Sequence, residues 1–326
     1  MKAIICTRYG APSVLKPTRL PDPKPKPGEV RVRICATTVS AADYRIRGLN
    51  APTGYRLIVR LALGWNGPRR KVLGSSVAGV VDQVGGGVSN LKPGDRVLAS
   101  LGIGMGGYAE LVCVTADGPV TRLPDRVSFD EAAALPFGFT TARHFLFRKG
   151  GLASGERLLV NGASGAVGVA MVQLAKARGA HVTGVCSGAN AALVLGLGAD
   201  EVIDYTRTDF RNTGKRWDVI ADNIGNIRLG EARRLLEKGG RFLMVVDTLP
   251  RMLAAPFVSL LGDMKAVMGV SGEAKADMED MVRMTAQGDF GAVIDRTFAF
   301  DDVAAAHAYA ETGHKVGNVV LRVSIP

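Results

Sequence analysis

The chain has 326 residues, of which 47% are hydrophobic and 22% charged, and its formal net charge is +11 at pH 7. These values are ordinary for a globular protein of about two domains with a full hydrophobic core, and they exclude a disordered or fibrous chain. A basic surface can bind nucleic acid, but Arg69-Arg70-Lys71 is the single tight basic cluster, and no zinc-finger or helix-turn-helix pattern accompanies it. The sequence therefore predicts no nucleic-acid partner.

No segment of the sequence has the length and composition of a membrane anchor or a secretory signal. The apolar run between Lys2 and Arg8 is shorter than the roughly 7–15 residues of a signal-peptide core. The cysteines, which form no CxxC pair, are Cys6, Cys35, Cys113 and Cys186. Scattered cysteines of this kind predict neither a disulfide framework nor a zinc ribbon. We therefore expect a soluble, cytoplasmic protein without a membrane partner.

Residues 1–127 have the texture of a mostly β unit. Val30-Arg31-Val32-Arg33-Ile34 alternates apolar and charged side chains, which is the pattern of a strand with one buried face. Further short apolar runs end in glycine turns, as at Gly85-Gly86-Gly87. From residue 273 the chain contains one helix-length segment and then strand-like runs again. We therefore expect residues 273–326 to return and pack on residues 1–127.

Residues 128–272 alternate short β-branched runs with helix-length segments. The predicted strands are Arg157–Asn161, His181–Cys186, Glu201–Tyr205, Asp218–Asn223 and Arg241–Val246. The predicted helices include Ala166–Arg178, Ala189–Leu197 and Leu229–Glu237, the last of which is stopped by Gly239-Gly240. Alternation of this kind indicates a parallel sheet that is covered by helices on both faces.

A glycine-rich loop at residues 162–168 joins the first of these strands to the following helix. Ala163 takes the first glycine position of a GxGxxG pattern, and Gly165 and Gly168 take the other two. In this strand–turn–helix context, Gly165 lets the backbone approach a pyrophosphate and Gly168 lets the helix pack on its strand. A tight turn without a ligand is the alternative. We predict a dinucleotide site whose loop residues are Gly162, Ser164, Gly165, Ala166, Val167 and Gly168.

The choice between the two nicotinamide cofactors depends on the end of the second strand. An NAD site usually places Asp or Glu there, about 20 residues after the loop, to hold the ribose hydroxyls. Here the strand is followed by Ser187-Gly188-Ala189-Asn190, with no acid. Ser187 and Asn190 can donate hydrogen bonds to a 2′-phosphate, although no Arg or Lys lies between Ser187 and Asp200. NADPH is therefore the expected cofactor, with NADH as the alternative.

Short motifs recur from the N-terminus to the last strand-like run. They are Met1-Lys-Ala-Ile, Pro27-Gly-Glu-Val-Arg-Val, Ser40-Ala-Ala-Asp-Tyr, Leu73-Gly-Ser-Ser-Val-Ala-Gly-Val-Val, Lys92-Pro-Gly-Asp-Arg-Val, Gly107-Tyr-Ala-Glu, Asn161-Gly-Ala-Ser-Gly-Ala-Val-Gly, Leu197-Gly-Ala-Asp-Glu-Val-Ile-Asp-Tyr and Gly317-Asn-Val-Val. With these motifs in this order, the chain resembles the zinc-free quinone oxidoreductase and enoyl reductase branch of the medium-chain dehydrogenase/reductase superfamily. The resemblance implies an α/β protein with a GroES-like, mostly β substrate domain at 1–127 and 273–326. It places a Rossmann domain, with a doubly wound parallel sheet, at 128–272.

The same resemblance implies roles for particular residues. Ser40 and Tyr44 are expected near the substrate, where Tyr44 either donates a hydrogen bond to a developing oxyanion or only packs. The family usually has Asn where this chain has Ser40. Thr141 is expected close to the nicotinamide carboxamide or as a helix cap, and Tyr205 by the adenosine 2′-phosphate or packed on the sheet. The other expected cofactor contacts, at strand ends and in the last motif, are Asn223, Val245, Asp247, Gly317 and Asn318.

The sequence predicts no metal site. Zinc members of this superfamily carry Gly-His-Glu where this chain has Gly74-Ser75-Ser76, and many also carry a lobe with four cysteines. A catalytic zinc needs about three protein ligands. The histidines show no ligand spacing and are expected to be surface or packing residues; they are His144, His181, His307 and His314.

These observations predict an NADPH-dependent oxidoreductase that reduces a quinone or an α,β-unsaturated carbonyl by hydride transfer, without zinc. Two alternatives stay open: a metal-free NAD(P)-dependent alcohol or aldehyde oxidoreductase, and a protein that binds NADPH without catalysis. The apolar segments Ala51–Val72 and Leu249–Lys265 are expected to form pocket rims or lids, which favours a hydrophobic carbonyl or quinone substrate. The resemblance also implies a homodimer, joined through a strand near Ala266–Val270.

Overall fold

The computed structural model describes residues 1–50, 53–272 and 274–324. Three parts of the sequence-based predictions lie outside the described residues. These are the first two residues of the expected lid at Ala51–Val72, the expected domain-boundary residue Glu273 and the last two residues of the chain.

The chain forms two compact units. The first comprises residues 1–51, 56–137 and 273–326, and the second comprises residues 52–55 and 138–272. The division between them falls at Phe137 and Gly138, inside a helix. The sequence places it slightly earlier, at 127/128, because the change of texture near Leu123-Pro124 precedes that helix.

The secondary structure of the described residues follows in chain order. The strands are β1 (Lys2–Cys6), β2 (Leu15–Arg19), β3 (Glu29–Thr38), β4 (Ser76–Val84), β5 (Arg96–Ser100), β6 (Leu111–Thr115), β7 (Val120–Arg122), β8 (Arg157–Asn161), β9 (His181–Cys186), β10 (Glu201–Asp204), β11 (Trp217–Asp222), β12 (Leu236–Met244), β13 (Lys265–Val267), β14 (Ile294–Ala299) and β15 (Asn318–Arg322). The α-helices are α1 (Ala41–Gly48), α2 (Arg56–Leu63), α3 (Phe129–Arg143), α4 (Ala166–Ala177), α5 (Ala191–Gly196), α6 (Leu229–Leu235), α7 (Leu249–Leu261), α8 (Lys275–Gln287) and α9 (Val303–Glu311). Within the described ranges, none of these helices combines the length and the apolar character needed to cross a bilayer.

The main sheet of the first unit contains strands from both ends of the chain. Its order is β14-β15-β3-β4-β5-β7, and β6 also pairs with β3. The C-terminal β15 runs antiparallel to β3. In β3, Val30, Val32 and Ile34 are fully buried, as their alternation in the sequence predicts. Arg31, on the opposite face, is also buried because its guanidinium donates two hydrogen bonds to the carboxylate of Asp82, each of 2.9 Å.

The sheet of the second unit has six strands in the order β10-β9-β8-β11-β12-β13. Every neighbouring pair is parallel. When these six strands are numbered 1 to 6 along the chain, starting at β8, their order in the sheet is 3-2-1-4-5-6, which is that of the Rossmann fold. The order reverses between β8 and β11, so the crevice that binds ligands in such sheets is expected outside the carboxyl ends of these two strands.

The sequence-based role of Gly239-Gly240 as a helix stop is wrong. Helix α6 already ends at Leu235, and the two glycines lie within β12. Gly239 has a φ of 80°, and its N–H donates to the carbonyl oxygen of Asp263 at 2.6 Å. The pairing of β11 with β12 shifts register next to these glycines. They therefore supply the left-handed backbone of a strand irregularity, which a sequence pattern cannot distinguish from a helix terminus.

Candidate cofactor and active site

The glycine-rich loop begins with a tight turn after β8. Gly162 has a φ of 79°, a left-handed conformation that favours glycine. The N–H groups of Gly162 and Ala163 both donate to the carbonyl oxygen of Val185, at 3.1 and 3.0 Å. These bonds fix the loop to the neighbouring strand β9. Ala163 can replace the first glycine of the motif because β9 has Gly184 opposite it, where a Cβ atom would lie only 3.1 Å from the Ala163 methyl group.

The loop ends at the N-terminus of α4, which is open. Gly165 is the N-cap residue, and no side chain caps the helix. Its φ of −77° is one that any residue can adopt, and a Cβ atom there would meet only the carbonyl oxygen of Gly162, at 3.6 Å. The fold itself therefore does not require glycine at this position. The N–H groups of a helix start point outward and attract anionic groups, which makes this a candidate site for a pyrophosphate.

Gly168, one helical turn further along, has a different reason to be glycine. A Cβ atom there would lie 2.1 Å from the carbonyl oxygen of Gly162 and 2.7 Å from the backbone of Ala163. Helix α4 thus packs directly on the turn that precedes it. Gly168 shapes the site through this close packing, whereas Gly165 leaves room for a ligand.

The residues expected at the adenosine end of the cofactor lie together. The side-chain amide of Asn190 donates to the Ser164 hydroxyl at 3.2 Å, which links the end of β9 to the glycine-rich loop. Ser187 directly follows β9 and is half-buried. The N–H of Tyr205 donates to the carbonyl oxygen of Cys186 at 3.2 Å, so Tyr205 lies beside Ser187, directly after β10. Tyr205 is 57% exposed, so its alternative role of packing on the sheet is wrong.

Two charged residues at this end were not among the sequence-based candidates. Asp204 ends β10, and its Oδ2 lies so close to Gly188 that a Cβ atom on that glycine would be 2.4 Å away. Hydrogen bonds from Thr206 hold the pKa of Asp204 below its usual range, so the carboxylate is charged. The Nε of Arg207 lies 3.7 Å from Oδ2 of Asp204, and 86% of the Arg207 side chain is exposed. No Arg or Lys lies between Ser187 and Asp200 in the sequence, but the structure brings Arg207 in from the turn after β10.

A polar network lies at the carboxyl ends of β8 and β11, where the crevice is expected. The side-chain amide of Asn161 donates to Asp222 at 2.8 Å and to Asn226 at 2.7 Å. Asn223 donates from its side-chain amide to the Asn161 carbonyl oxygen at 3.1 Å. Its own Oδ1 is buried and has no hydrogen-bond partner among the described residues. An acceptor left open at the sheet's reversal point fits a polar ligand group there, and it supports the expected role of Asn223.

Asp247 and Val245 follow β12 in the same unit. The Asp247 carboxylate pairs with Arg251 at 3.0 Å, and the Arg251 guanidinium also donates to the carbonyl oxygens of Ile227 and Gly225. Burial raises the pKa of Asp247. Val245 is half-buried, and its N–H donates to the carbonyl oxygen of Leu243 at 3.1 Å. The pairing with Arg251 gives Asp247 a structural partner in addition to any contact with a cofactor.

Thr141 lies within α3, so it does not cap that helix. Its hydroxyl is 3.5 Å from the hydroxyl of Ser271, close to the upper limit for a hydrogen bond. The alternative role of Thr141 as a helix cap is therefore wrong. Its expected contact with the carboxamide stays a prediction.

In the first unit, Ser40 and Asp43 form a reciprocal cap at the start of α1. The Ser40 hydroxyl and its backbone N–H both donate to Oδ2 of Asp43, at 2.6 and 2.8 Å, and the Asp43 N–H donates back to the hydroxyl at 3.3 Å. The N–H of Gly74 donates to the other carboxylate oxygen at 3.0 Å. Complete burial raises the pKa of Asp43 to about 6. The spacing Ser-x-x-Asp is a capping signature that the sequence already contained.

The other candidates of the first unit lie close to this cap. The N–H of Val39, next to Ser40, donates to the carbonyl oxygen of Val319 at 2.9 Å, which places Ser40 near Asn318. The Asn318 side chain donates to the carbonyl oxygen of Val293 at 3.1 Å. A Cβ atom on Gly317 would lie 2.3 Å from that same oxygen, so this glycine is required by packing.

Tyr44 is on α1, one turn from Ser40. Its ring packs against the apolar cluster of the first unit, which includes Leu73, Tyr108 and Val319. This contact agrees with the packing role that the sequence left open for Tyr44. A role of its hydroxyl in proton donation stays a prediction.

The described residues offer no ligand set for zinc. No group of three or more His, Cys, Asp or Glu side chains in the described ranges is arranged to hold a metal ion. At the position where zinc relatives have histidine and glutamate, the Ser76 hydroxyl donates to the carbonyl oxygen of Ala133 at 2.9 Å. His307 is fully buried and lies 2.9 Å from the Tyr108 hydroxyl, and His181 lies 3.2 Å from Asp200.

Two family models match the chain. One, described as "Alcohol dehydrogenase GroES-like domain", matches residues 26–125, and one, described as "Zinc-binding dehydrogenase", matches residues 197–321. The "Chloroplast envelope quinone oxidoreductase homolog" of Arabidopsis thaliana is 31% identical over 98% of both chains. The solved quinone oxidoreductase from Coxiella burnetii has a TM-score of 0.84 at 26% identity and covers 99% of both chains. A solved NAD-dependent alcohol dehydrogenase also has a TM-score of 0.84, at 28% identity, with 99% of this chain and 100% of that one covered.

The two sheets and the open loop at α4 define a nicotinamide-dependent dehydrogenase or reductase with a GroES-like unit and a Rossmann unit, so the predicted fold class is confirmed. More particularly, the chain belongs to the quinone oxidoreductase branch of the medium-chain dehydrogenase/reductase superfamily. Membership of this family makes it an NAD(P)H-dependent oxidoreductase.

Proposed function

We propose that this protein uses NADPH to reduce a quinone or an α,β-unsaturated carbonyl by hydride transfer, without zinc. The observation that carries the proposal is the open N-terminus of α4 at Gly165, where the fold leaves space that its own packing does not need. The sheet beside this space has the strand order of a Rossmann fold. The space follows the carboxyl end of β8, where the strand order reverses. The pyrophosphate of the dinucleotide would bind there, contacted by residues 162–168.

The proposal of NADPH rather than NADH rests on three residues at the adenosine end. Ser187 can donate to a 2′-phosphate, Tyr205 lies beside it, and Arg207 can supply the positive charge. Asp204 opposes this choice, because its charged carboxylate lies next to Gly188 and would repel a 2′-phosphate. Arg207 lies close enough to offset that charge, so we expect a modest preference for NADPH.

Bound nicotinamide supplies the hydride, and the protein must orient the substrate and stabilise the charge that develops on its oxygen. Ser40 and Tyr44 are the proposed groups for that second task. With Asp43 ionised, the Ser40 hydroxyl donates its proton to the carboxylate. With Asp43 protonated, the carboxyl group can donate to Ser40 instead, which frees the hydroxyl proton for a substrate oxygen. The pKa of about 6 therefore makes Asp43 a positioning residue for Ser40.

A second candidate function is oxidation of an alcohol or reduction of an aldehyde with NAD and without metal. Asp204 favours it, because a carboxylate at the ribose end can accept hydrogen bonds from the hydroxyls of NADH. The likeness to a solved NAD-dependent alcohol dehydrogenase points the same way. A cofactor-binding protein without catalysis shares the same loop and is distinguished only by the absence of turnover.

The assembly, substrate and location are further parts of the proposal. The strand β13 pairs with β12 and ends the path of the six-stranded sheet, which leaves an edge through which two copies can form a homodimer. A hydrophobic quinone or enone is the proposed substrate. The cytoplasmic location predicted from the sequence stays a prediction, and the Arabidopsis relative has a chloroplast name.

Steady-state assays would test the function directly. NADPH and NADH oxidation should be followed at 340 nm with a benzoquinone, a naphthoquinone and an alkyl enone, and NAD(P)⁺ reduction with primary and secondary alcohols. We expect turnover with a quinone or the enone and higher kcat/KM with NADPH. Turnover restricted to alcohols with NAD⁺ would establish the second candidate function. Tight NADPH binding without turnover of any member of the panel would establish a non-catalytic role.

A further inference from the structure

Helix α2 of the first unit presents an apolar face to solvent. Leu57, Ile58 and Leu61 expose 59%, 50% and 60% of their surface, and Trp65, just beyond the helix, exposes 56%. Residues spaced by three or four positions lie on one side of a helix, so the three helical residues share one face. Single exposed apolar residues are ordinary, but a contiguous group of large ones indicates an interaction site.

A basic cluster adjoins this face. Arg69, Arg70 and Lys71 are all exposed. The N–H of Arg69 donates to the carbonyl oxygen of Leu63 at 2.6 Å, and its guanidinium donates to that of Leu61 at 3.2 Å. The chain therefore folds back on the last turn of α2 and brings the cations to the end of the apolar face.

The charge of the whole segment is of one sign. Between Asp43 and Asp82 the sequence contains no acidic residue, and its basic residues are Arg45, Arg47, Arg56, Arg60, Arg69, Arg70 and Lys71. Arg47 is fully buried and paired with Glu311, so it does not contribute to the surface charge. Within the described residues, Arg70 and Lys71 form no ion pair. The cluster thus keeps its charge available for a partner.

The segment is held firmly on the body of the first unit. The Tyr9 hydroxyl donates to the carbonyl oxygen of Gly64 at 2.7 Å, just after α2. The N–H of Cys6 donates to the carbonyl oxygen of Lys71 at 2.7 Å. A Cβ atom on Gly67 would lie 2.4 Å from the carbonyl oxygen of Thr7, so the turn between them packs closely. The apolar face and the cations are therefore presented together by a fixed scaffold.

Although the sequence predicts no membrane partner, we propose that α2 and the basic cluster form a docking surface for an anionic lipid bilayer. An interfacial helix of this kind lies in the membrane plane, with its apolar side chains at the headgroup boundary and its cations against lipid phosphates. Trp65 is the residue type that prefers this boundary, and the Arg60 guanidinium lies 5.7 Å from its ring. The inference does not depend on which substrate the protein reduces.

A second copy of the chain is a poorer partner for this surface. Two identical subunits usually meet through the same patch on each, which would place the cluster of Arg69, Arg70 and Lys71 opposite its own copy. The like charges of the two facing clusters would repel each other. An anionic bilayer can bury the apolar side chains of this face and pair with its cations at the same time.

Vesicle sedimentation and tryptophan fluorescence would test the proposal. The full chain should be mixed with vesicles of phosphatidylcholine alone or with about 30% phosphatidylserine, at low and high NaCl. We expect partition at least tenfold stronger into the anionic vesicles, weakened by salt because screening shortens the reach of the cations. Trp65 emission should shift to shorter wavelength on binding. Trp217 is buried, so Trp65→Phe should abolish the shift.

Paired variants separate the two parts of the surface. Arg70→Ala with Lys71→Ala should weaken partition about 30-fold, since each cation near such a surface contributes about a factor of five. Leu57→Ser with Leu61→Ser should weaken it about 100-fold. Matched controls are Ile103→Ser, which is 85% exposed in another turn of the same unit, and Lys16→Ala with Lys24→Ala. The controls should partition like wild type, and all variants should keep the wild-type melting temperature.

Each of the following results would overturn the proposal. The first is no binding to anionic vesicles at low salt. The second is equal binding to both kinds of vesicle, or loss of binding in the control variants to the same degree. The third is conversion of a dimer to a monomer by Leu57→Ser with Leu61→Ser in the absence of lipid, since the face would then be covered by a second copy.

Discussion

A Cβ atom on Gly168 would lie 2.1 Å from the carbonyl oxygen of Gly162, whereas one on Gly165 would come no closer than 3.6 Å to that oxygen. The two positions of this motif therefore require glycine for different reasons. Gly168 is needed so that helix α4 can pack on the preceding turn. Gly165 is needed only if something outside the protein occupies the space at the helix start.

Replacing Gly165 with Val should abolish NADPH binding and leave the fold largely intact. Its backbone φ of −77° suits a β-branched residue, and the added side chain would fill the space proposed for the pyrophosphate. Loss of the glycine N-cap should cost at most about 1 kcal/mol. Thermal melting and titration of NADPH by fluorescence would measure the two effects.

Gly168→Ala is the matched control. Its methyl group would be forced against the Gly162 carbonyl oxygen, so the free energy of unfolding should fall by about 3 kcal/mol or more. A Gly165→Val protein that melts like wild type and binds NADPH unchanged would contradict the proposed pyrophosphate site.

Substitutions at Ser187 should change the cofactor preference. A hydrogen bond to a charged group contributes about 1.5–3 kcal/mol, so Ser187→Ala should weaken NADPH binding about 10- to 100-fold. Ser187→Asp should go further, because it adds a repelling charge and an acceptor for the ribose of NADH. Titration of both cofactors into wild type and each variant gives the ratio. If the Asp variant leaves that ratio unmoved, Ser187 does not face the ribose.

Arg207→Ala should reduce affinity for NADPH and leave affinity for NADH nearly unchanged. The guanidinium lies beside Asp204, so its removal leaves that carboxylate uncompensated at the 2′-phosphate. Arg178→Ala serves as the control, since that arginine packs over Phe147 instead. Equal losses for the two cofactors would show that Arg207 acts on the fold of the turn and not on the phosphate.

The purified protein should contain no stoichiometric zinc. The described residues present no group of three metal-binding side chains, and Ser75 and Ser76 stand where zinc relatives have ligands. Elemental analysis by mass spectrometry, with dialysis against a chelator as a comparison, would measure the metal. About one tightly held zinc per chain would refute this prediction.

Acid should destabilise the protein through His307. Burial lowers the pKa of this histidine to about 3, with Arg47 adding to the effect, whereas the unfolded chain takes up the proton near pH 6.5. The stability that depends on neutral His307 is present above pH 6.5 and is lost as the pH falls toward 3, by an amount on the order of 4–5 kcal/mol. His307→Gln should be less stable at pH 7 but show a flatter profile in urea unfolding between pH 6.5 and 4. An unchanged slope in that variant would rule out His307 as the cause.

Protonation of Asp43 should change the stability in the opposite direction, so that acid stabilises the folded protein through this residue. Its pKa of about 6 in the folded protein exceeds the unfolded value near 3.9, so the folded state binds the proton more tightly. This contribution is present below pH 4 and is lost as the pH rises through 6, amounting to about 3 kcal/mol. Asp43→Asn should remove that term, at a cost of about 1 kcal/mol for the weakened cap. The profile of kcat against pH should also lose any inflection near 6 if Asp43 positions Ser40.

The sequence was sufficient for the features that depend on local pattern. The strand, loop and helix at residues 157–178 were predicted to within a residue, because hydrophobic periodicity and glycine spacing act over short distances. The motifs also identified the family, and the similarity to known relatives confirms it. The helix stop assigned to Gly239-Gly240 failed for the complementary reason: a left-handed glycine serves a strand irregularity as well as a helix end.

Charge at the proposed adenosine end was decided by tertiary structure. Asp204 and Arg207 belong to the third strand of the parallel sheet and the turn after it, yet pairing of β10 with β9 brings them beside Gly188 and Ser187. In the sequence both residues lie beyond the segment Ser187–Asp200 that follows the second strand. The buried acceptor of Asn223 likewise depends on β8 and β11 being neighbours in the sheet.

The amino-acid sequence by itself determined the glycine-rich loop, the alternation of strands and helices and the family. Only the tertiary structure showed that Gly165 is not needed by the fold, that Asp43 is completely buried against Ser40, and that the apolar face of α2 is exposed. The physical reason is that patterns record which residues suit a helix or a strand. Space, burial and proximity of charges arise only when segments distant in the chain pack together.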